Sequence, residues 1–191
     1  FQIHAVETYP EFCTVKGQYG CGEIEFLDRN GMLSERTLLI HSIWITPKEK
    51  VLIAQRKANV NHNPAGNMLL GDGTAPIPDL VATNNSQDMI ETMKLGALLH
   101  RNSTLNAGIF TAYDMIKMAT IGSARAIGWA DEIGSLEVGK KADLIVVSTD
   151  SPAMTPSLAN INNLVFSGCG RDVDTVMIDG RFVMKNRKML F

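Results

Sequence analysis

The chain lacks any uninterrupted apolar run near the roughly 20 residues that a membrane-spanning helix needs; its longest, such as 144–147, are a few residues long. No membrane partner is expected. Charge of one sign is also lacking, because 18 Lys and Arg stand against 20 Asp and Glu for a formal charge of −2, without a basic block. Surfaces that bind polyanions are normally electropositive, so no nucleic-acid partner is expected either. Cysteine is scarce: Cys13, Cys21 and Cys169 form no Cys-x-x-Cys pair, which argues against a disulfide scaffold or a thiolate-built zinc site and suits a reducing, cytoplasmic compartment. The opening residues contain no cationic segment followed by an apolar one, so no secretory signal is read. An initiator Met is missing as well, and the chain enters with Phe-Gln-Ile-His directly into what reads as a buried strand. A truncated or incompletely represented polypeptide is the expectation.

What is present is an ordinary globular composition, 45% apolar and 20% charged, with a repeated theme in its first half. A short apolar run ends in a polar residue, and a helix follows. Residues 1–5 read as a strand carrying His4 and leading to Glu7, and 23–30 as a helix closed by Gly31. Residues 37–40 read as a strand ending at His41. Thr46-Pro47-Lys48-Glu49 then supplies an N-cap, a first-turn proline and a capping-box glutamate for a helix over 48–57. A short strand at 59–61 runs into His62-Asn63-Pro64, and 66–73 reads as a glycine-rich loop, with Pro76 and Pro78 marking the next turn.

Ser86 is placed as the cap of a helix over 87–101, with Met89, Ile90, Met93, Ala97 and Leu98 on its buried face. Thr111 caps another over 112–127, with Met115, Ile116, Met118 and Ala119 as its apolar side and Gly128 at its end. From Gly134 the pattern changes to strands at 135–138 and 142–148, and Asp179-Gly180 joins two further apolar runs as a hairpin turn. The expected fold class is α/β: the C-terminal part of a (β/α)8 barrel over 1–133 and part of a small β-sandwich over 134–191. A complete barrel takes about 250 residues, so this chain holds only part of one.

Three of the four histidines, His4, His41 and His62, fall at or just after the ends of consecutive expected strands, which a barrel brings to one mouth. Neutral imidazole is a common zinc ligand, and a hydrolytic zinc site normally combines three protein ligands with a water. In His4-x-x-Glu7 a carboxylate stands near the imidazole, able to move a proton between that water and a leaving group. Each of these residues taken alone is equally a hydrogen-bonded strand-end residue or a solvated acid; their shared location favours a site. His100, at a helix end beside Arg101, reads as a surface residue favourable to the helix dipole. The stretch Leu70-Gly71-Asp72-Gly73 lacks the spacing of a phosphate loop, and Ser42 sits in no nucleophile elbow.

The segments IHAVET (3–8), LLIHS (38–42), NHNPAGNMLLGDGTAPIPDL (61–80), TNNSQDM (83–89), MATIGSARAIG (118–128) and GSLEVGKKADLIVV (134–147) resemble the metal-dependent amidohydrolase superfamily. The similarity lies in its branch of deaminases and chlorohydrolases acting on nitrogen heterocycles: methylthioadenosine/S-adenosylhomocysteine deaminases, guanine deaminases and triazine hydrolases. The last segment is shared widely, whereas HxxE, HNP and NNSQDM in this order are specific. The resemblance implies that His4 binds the metal, zinc or another divalent ion such as iron. It makes Glu7 the proton shuttle and His41 the group that orients the attacking water and the reacting ring. Thr83 is implied to line the substrate pocket. The family's His-x-His pair is absent, and so is its metal-binding aspartate in a Gly-Thr-Asp-Gly turn, because Val81 runs directly into Ala82-Thr83-Asn84-Asn85. Neither Asp72 nor Asp79 stands in the matching context.

The function implied is hydrolytic deamination of an aminated N-heterocycle, a purine base or nucleoside, by zinc-hydroxide attack on the ring carbon. A small-molecule substrate and a homo-oligomer are the partners implied. The alternatives are a triazine-type chlorohydrolase or aminohydrolase, and an inactive fragment or scaffold without its metal ligands. Omission of the missing segments is favoured over true deletion, since loss of a central barrel strand would expose two strand edges.

Overall fold

Two capping boxes set the rhythm of the first part of the chain. Thr8 accepts from the Glu11 N–H at the start of one helix and Thr46 from the Glu49 N–H at the start of another, each glutamate reaching back to its cap residue's own N–H. The computed structural model describes residues 1–76, 88–156 and 158–190. The chain forms two units, Phe1–Asn85 and Ser86–Phe191.

In the first unit the order is β1 (Gln2–Ala5), α1 (Tyr9–Tyr19), α2 (Glu23–Arg29), β2 (Leu38–His41), α3 (Pro47–Arg56), β3 (Asn59–Asn61) and α4 (Pro64–Leu70). The three strands form a parallel sheet in the order β1-β2-β3. Parallel neighbours require a crossover, and the helices between the strands supply it. Register pairs His4 with Ile40 and Ala5 with His41, and Ile40 with Asn61. The carboxyl ends of all three strands therefore lie at one level. Leu39, Ile40, Ile24, Leu27, Ile53 and Val60 are buried around this sheet. The stretch expected as a glycine-rich loop over 66–73 is largely helix: Pro64 occupies the first turn of α4, and Gly71 closes it in the left-handed conformation.

The second unit opens with α5 (Met89–Thr104), α6 (Ala112–Lys117) and α7 (Ser123–Ala126), the last two joined by a π-helical turn over Met118–Gly122. The capping residue of α5 is Asp88, and Ser86 lies outside the described residues. Ile90, Met93, Ala97, Ala112, Met115 and Val165 form the buried cluster. Met89 and Leu98, expected on the buried face, are exposed at 42% and 45%. His100, expected at the surface, is buried and stacks on Phe110 with ring centroids 4.7 Å apart. It follows Ile90, Met93 and Ala97 at spacings of three, four and three, so it faces inward with them.

An antiparallel sheet β4-β5-β6-β7 follows, made of β4 (Leu144–Val147), β5 (Val173–Ile178), β6 (Arg181–Lys185) and β7 (Lys188–Met189), with α8 (Asn160–Phe166) inserted after β4. Asp179 and Gly180 both take positive φ, 49° and 75°, as a two-residue turn of the expected hairpin type requires. The strand expected at 135–138 does not form. Leu136 is 75% exposed and Val138 fully so, and no described strand pairs with them; an apolar alternation without a partner ladder gains nothing from extending. All three cysteines are free.

Candidate active site

The ends of β1 and β2 are bent by backbone conformations that L-residues rarely adopt. Val6, His41 and Ser42 have φ of 52°, 70° and 51°, and for a β-branched valine this is a genuine outlier. Hydrogen bonds hold the outliers in place. The Ser42 N–H donates to Ala5 O at 3.0 Å and to Ile40 O at 3.1 Å, closing a three-residue turn centred on His41. Val6 O accepts from both Ile43 N, at 3.0 Å, and Trp44 N, at 3.1 Å. The two loops are thus stitched together along their backbones, and backbone strain of this kind gathers at functional sites.

Stitching the loops brings three of the residues singled out in the sequence together. Glu7 Oε1 lies 3.1 Å from His41 Nε2, and the His4 and His41 rings are 5.2 Å apart between centroids. His41 is buried while the Glu7 side chain keeps 22% of its surface open, so the acid can meet both the imidazole and a substrate. His62 is buried one residue beyond Asn61, at the end of β3. Thr83 lies outside the described residues.

The tautomer of His41 follows from a residue the sequence reading did not single out. Asn67, fully buried on α4, places Oδ1 2.7 Å from His41 Nδ1. An amide oxygen only accepts, so with Oδ1 against Nδ1 the ring donates there and turns Nε2 to Glu7. Asn63 Nδ2, 3.4 Å from Nε2, approaches the same nitrogen. The signal for this partner was the helix start at Pro64, which puts Asn67 one turn beyond Asn63 and on the same side.

Carboxylates organise the loops behind the pair. Glu11 Oε2 accepts from the N–H groups of Glu7, at 2.8 Å, and Thr8, at 3.3 Å. Glu49, buried, accepts from Thr46 N and from Ile24 N at 2.9 and 3.1 Å, and a Cβ at Gly22 would overlap its carboxylate. A larger residue there would have to displace the Glu49 carboxylate from its hydrogen bonds. Beside the site, Tyr9 and Trp44 meet with ring centroids 4.9 Å apart, and Trp44 Nε1 donates to Asp72 O at 3.0 Å.

As a metal site the described residues are incomplete. Among them no group of three or more His, Cys, Asp or Glu side chains is arranged to hold an ion. His4, an exposed imidazole at a strand end, is chemically suited to one ligand position. His41 has both nitrogens engaged by Asn67, Glu7 and Asn63, which fits a proton-transfer group better than a ligand.

Residues 1–183 match the model of the amidohydrolase family, and the chain belongs to that family. It is 36% identical over 201 aligned positions to 5'-deoxyadenosine deaminase of Methanobrevibacter smithii, covering 98% of this chain and 46% of that protein. It is 37% identical to 5-methylthioadenosine/S-adenosylhomocysteine deaminase of Thermococcus sibiricus, covering 95% and 46%. The zinc-bound crystal structure of an adenosine deaminase from Xanthomonas campestris superposes with a TM-score of 0.94 at 29% identity, over 99% of this chain and 46% of that one. The chain spans about half the length of the curated relatives it matches.

Proposed function

We propose that the protein is a hydrolytic aminohydrolase that removes the amino group of a purine-type nucleoside or base. The observation that carries this reading is the Glu7–His41 contact of 3.1 Å at the ends of adjacent parallel strands, in a chain whose relatives are named as adenosine-type deaminases. Deamination adds water to the ring carbon that bears the amino group and expels ammonia. One proton must leave the water and another must reach the departing nitrogen. Glu7, open to the site and paired with His41, is the carrier for both transfers. His41, held by Asn67 with its proton on Nδ1, takes or returns a proton at Nε2 and presents a donor to the oxygen added to the ring.

Zinc, bound by His4 together with ligands outside the described residues, would supply a position at which water is acidic near neutral pH. Thr83 is assigned to the pocket lining. The proposed organisation is a barrel part over 1–133 and a sandwich part over 134–191, in a homo-oligomer. Among the described residues no helix is long and apolar enough to cross a membrane. The match to the Methanobrevibacter smithii enzyme runs over 201 positions against 191 residues here. At least ten residues of that relative thus have no counterpart in this chain.

The test is Glu7→Gln, assayed by ammonia release from adenosine-type nucleosides and by metal analysis of the same sample. Turnover should fall by at least about 10²-fold, the usual scale of a lost general acid-base, with metal content unchanged. Full turnover in the variant rejects the assignment.

A further inference from the structure

We propose that Glu23 is a positioning residue for this proton transfer: its buried carboxylate fixes the Val6 peptide and, through it, the direction from which Glu7 meets His41. Glu23 is the first residue of α2, and its Oε2 accepts the Val6 N–H at 3.0 Å. Val6 is fully buried and has φ of 52°. Without that carboxylate its N–H would be an orphaned donor inside the protein, which is unfavourable. The carbonyl on the other side of Val6 receives the amides of Ile43 and Trp44. The residue just before Glu7 is therefore tied at both its N–H and its C=O.

Three successive amides of this loop face two carboxylates: Val6 to Glu23, then Glu7 and Thr8 to Glu11. Releasing the first lets Val6 relax from its strained φ towards an ordinary one. That rotation swings the Glu7 Cα and carries the carboxylate away from His41 Nε2. A side chain serving only to fill space would be apolar here. Instead burial raises the Glu23 carboxyl above its ordinary range, and the like charges of Glu11 and Glu49 add to the rise while the Val6 N–H opposes it. An unfavourable group held in this way is explained by the backbone geometry that it enforces.

The inference rests on Glu7 as the proton carrier, and its test separates the two. Glu23→Asp keeps the charge but is one carbon too short to reach Val6, whereas Glu23→Gln loses the charge and keeps an acceptor of the same reach. In E23D, kcat for ammonia release should fall by about 10²-fold, the scale of a displacement of about 1 Å at a reacting group. KM should stay within about twofold, because substrate binding is not touched. Exchange of the Val6 amide hydrogen should accelerate in E23D, and E23Q should recover most of both losses. If E7Q is inactive while E23D keeps the parent kcat and Val6 protection, the positioning role is overturned and the functional reading stands. If no adenosine-type nucleoside is deaminated by the parent protein, the functional reading falls. Val6 exchange and the Glu7–His41 separation in a structure of E23D then decide the positioning role, and parent-like values overturn it.

Discussion

The two units bury different kinds of atoms. In the first, Glu23, Thr37, His41, Ser42, Glu49, Asn61, His62, Asn63 and Asn67 are buried polar or charged residues, most of them at strand ends or helix starts; in the second, among the described residues, the buried polar ones are Thr92, His100, Asp172 and Thr175. The second unit is organised instead by the apolar cluster of α5, α6 and α8, and its antiparallel sheet leaves Ile145, Val146, Ile178 and Met189 half exposed. The contrast follows from the architecture. A parallel sheet brings strand ends together at one level, where polar side chains can satisfy one another, whereas the helices of the second unit have only apolar stripes to share. In the first unit geometry should therefore depend on single hydrogen bonds, and in the second stability should depend on volume.

The largest expected effect tests the apolar side of that contrast. Ile90→Ala opens a cavity in the cluster against Met93, Met115 and Val165 and should destabilise the protein by about 2–5 kcal/mol. Chemical denaturation reads that loss, and kcat at a temperature where the variant is folded should be near that of the parent. A loss under about 1 kcal/mol would mean that the cluster is not what holds this unit.

Next in size is the polar counterpart, Asn67→Leu, which removes the acceptor 2.7 Å from His41 Nδ1. Partners that orient a site histidine are typically worth about 10- to 100-fold in activity. We expect kcat to drop on that scale with KM little changed, since the tautomer and not the binding surface is altered. Parent kcat in N67L would remove Asn67 from the account and break the contrast at its polar end.

What could be read without coordinates was local. The Thr46-Pro47-Lys48-Glu49 start and the Asp179-Gly180 turn are encoded within four residues, and both formed as expected. The inward position of His100 is also written in the spacing 90, 93, 97, 100, while its charged neighbour Arg101 points to a surface position. The helix carrying Asn67 is hidden by Gly66 and Gly71, which by sequence suggest a loop although Gly71 is a helix cap. Contacts across the register were another matter. Val6 meets Glu23 across 17 residues and His41 meets Asn67 across 26, and no periodicity reports which loop amide a distant carboxylate reaches. The positive φ of Val6 was equally hidden, since it is imposed by those contacts against the residue's own preference.

The smallest expected effects sharpen the contrast through pH, because a buried group in each unit, Glu23 in the first and His100 in the second, is shifted, the two in opposite senses. Burial lowers the His100 imidazole below its ordinary value, so the fold favours the neutral ring. Below about pH 6.5 the unfolded chain binds the proton first, and stability falls as pH falls. Burial, with Glu11 and Glu49 nearby, raises Glu23, so the fold favours the neutral acid. Its contribution is complete below the ordinary glutamate value near 4.3 and is lost as pH rises through the folded value. Trp44 and Trp129 lie one in each unit, so Trp129→Phe and Trp44→Phe variants report on them separately by fluorescence. Adding His100→Gln should flatten the acid-side loss seen through Trp129. Adding Glu23→Gln should raise the unfolding midpoint seen through Trp44 at pH 7, by an amount that shrinks towards pH 4. Identical pH slopes through both tryptophans would mean that the units unfold as one and that neither group sets the slope of its own unit.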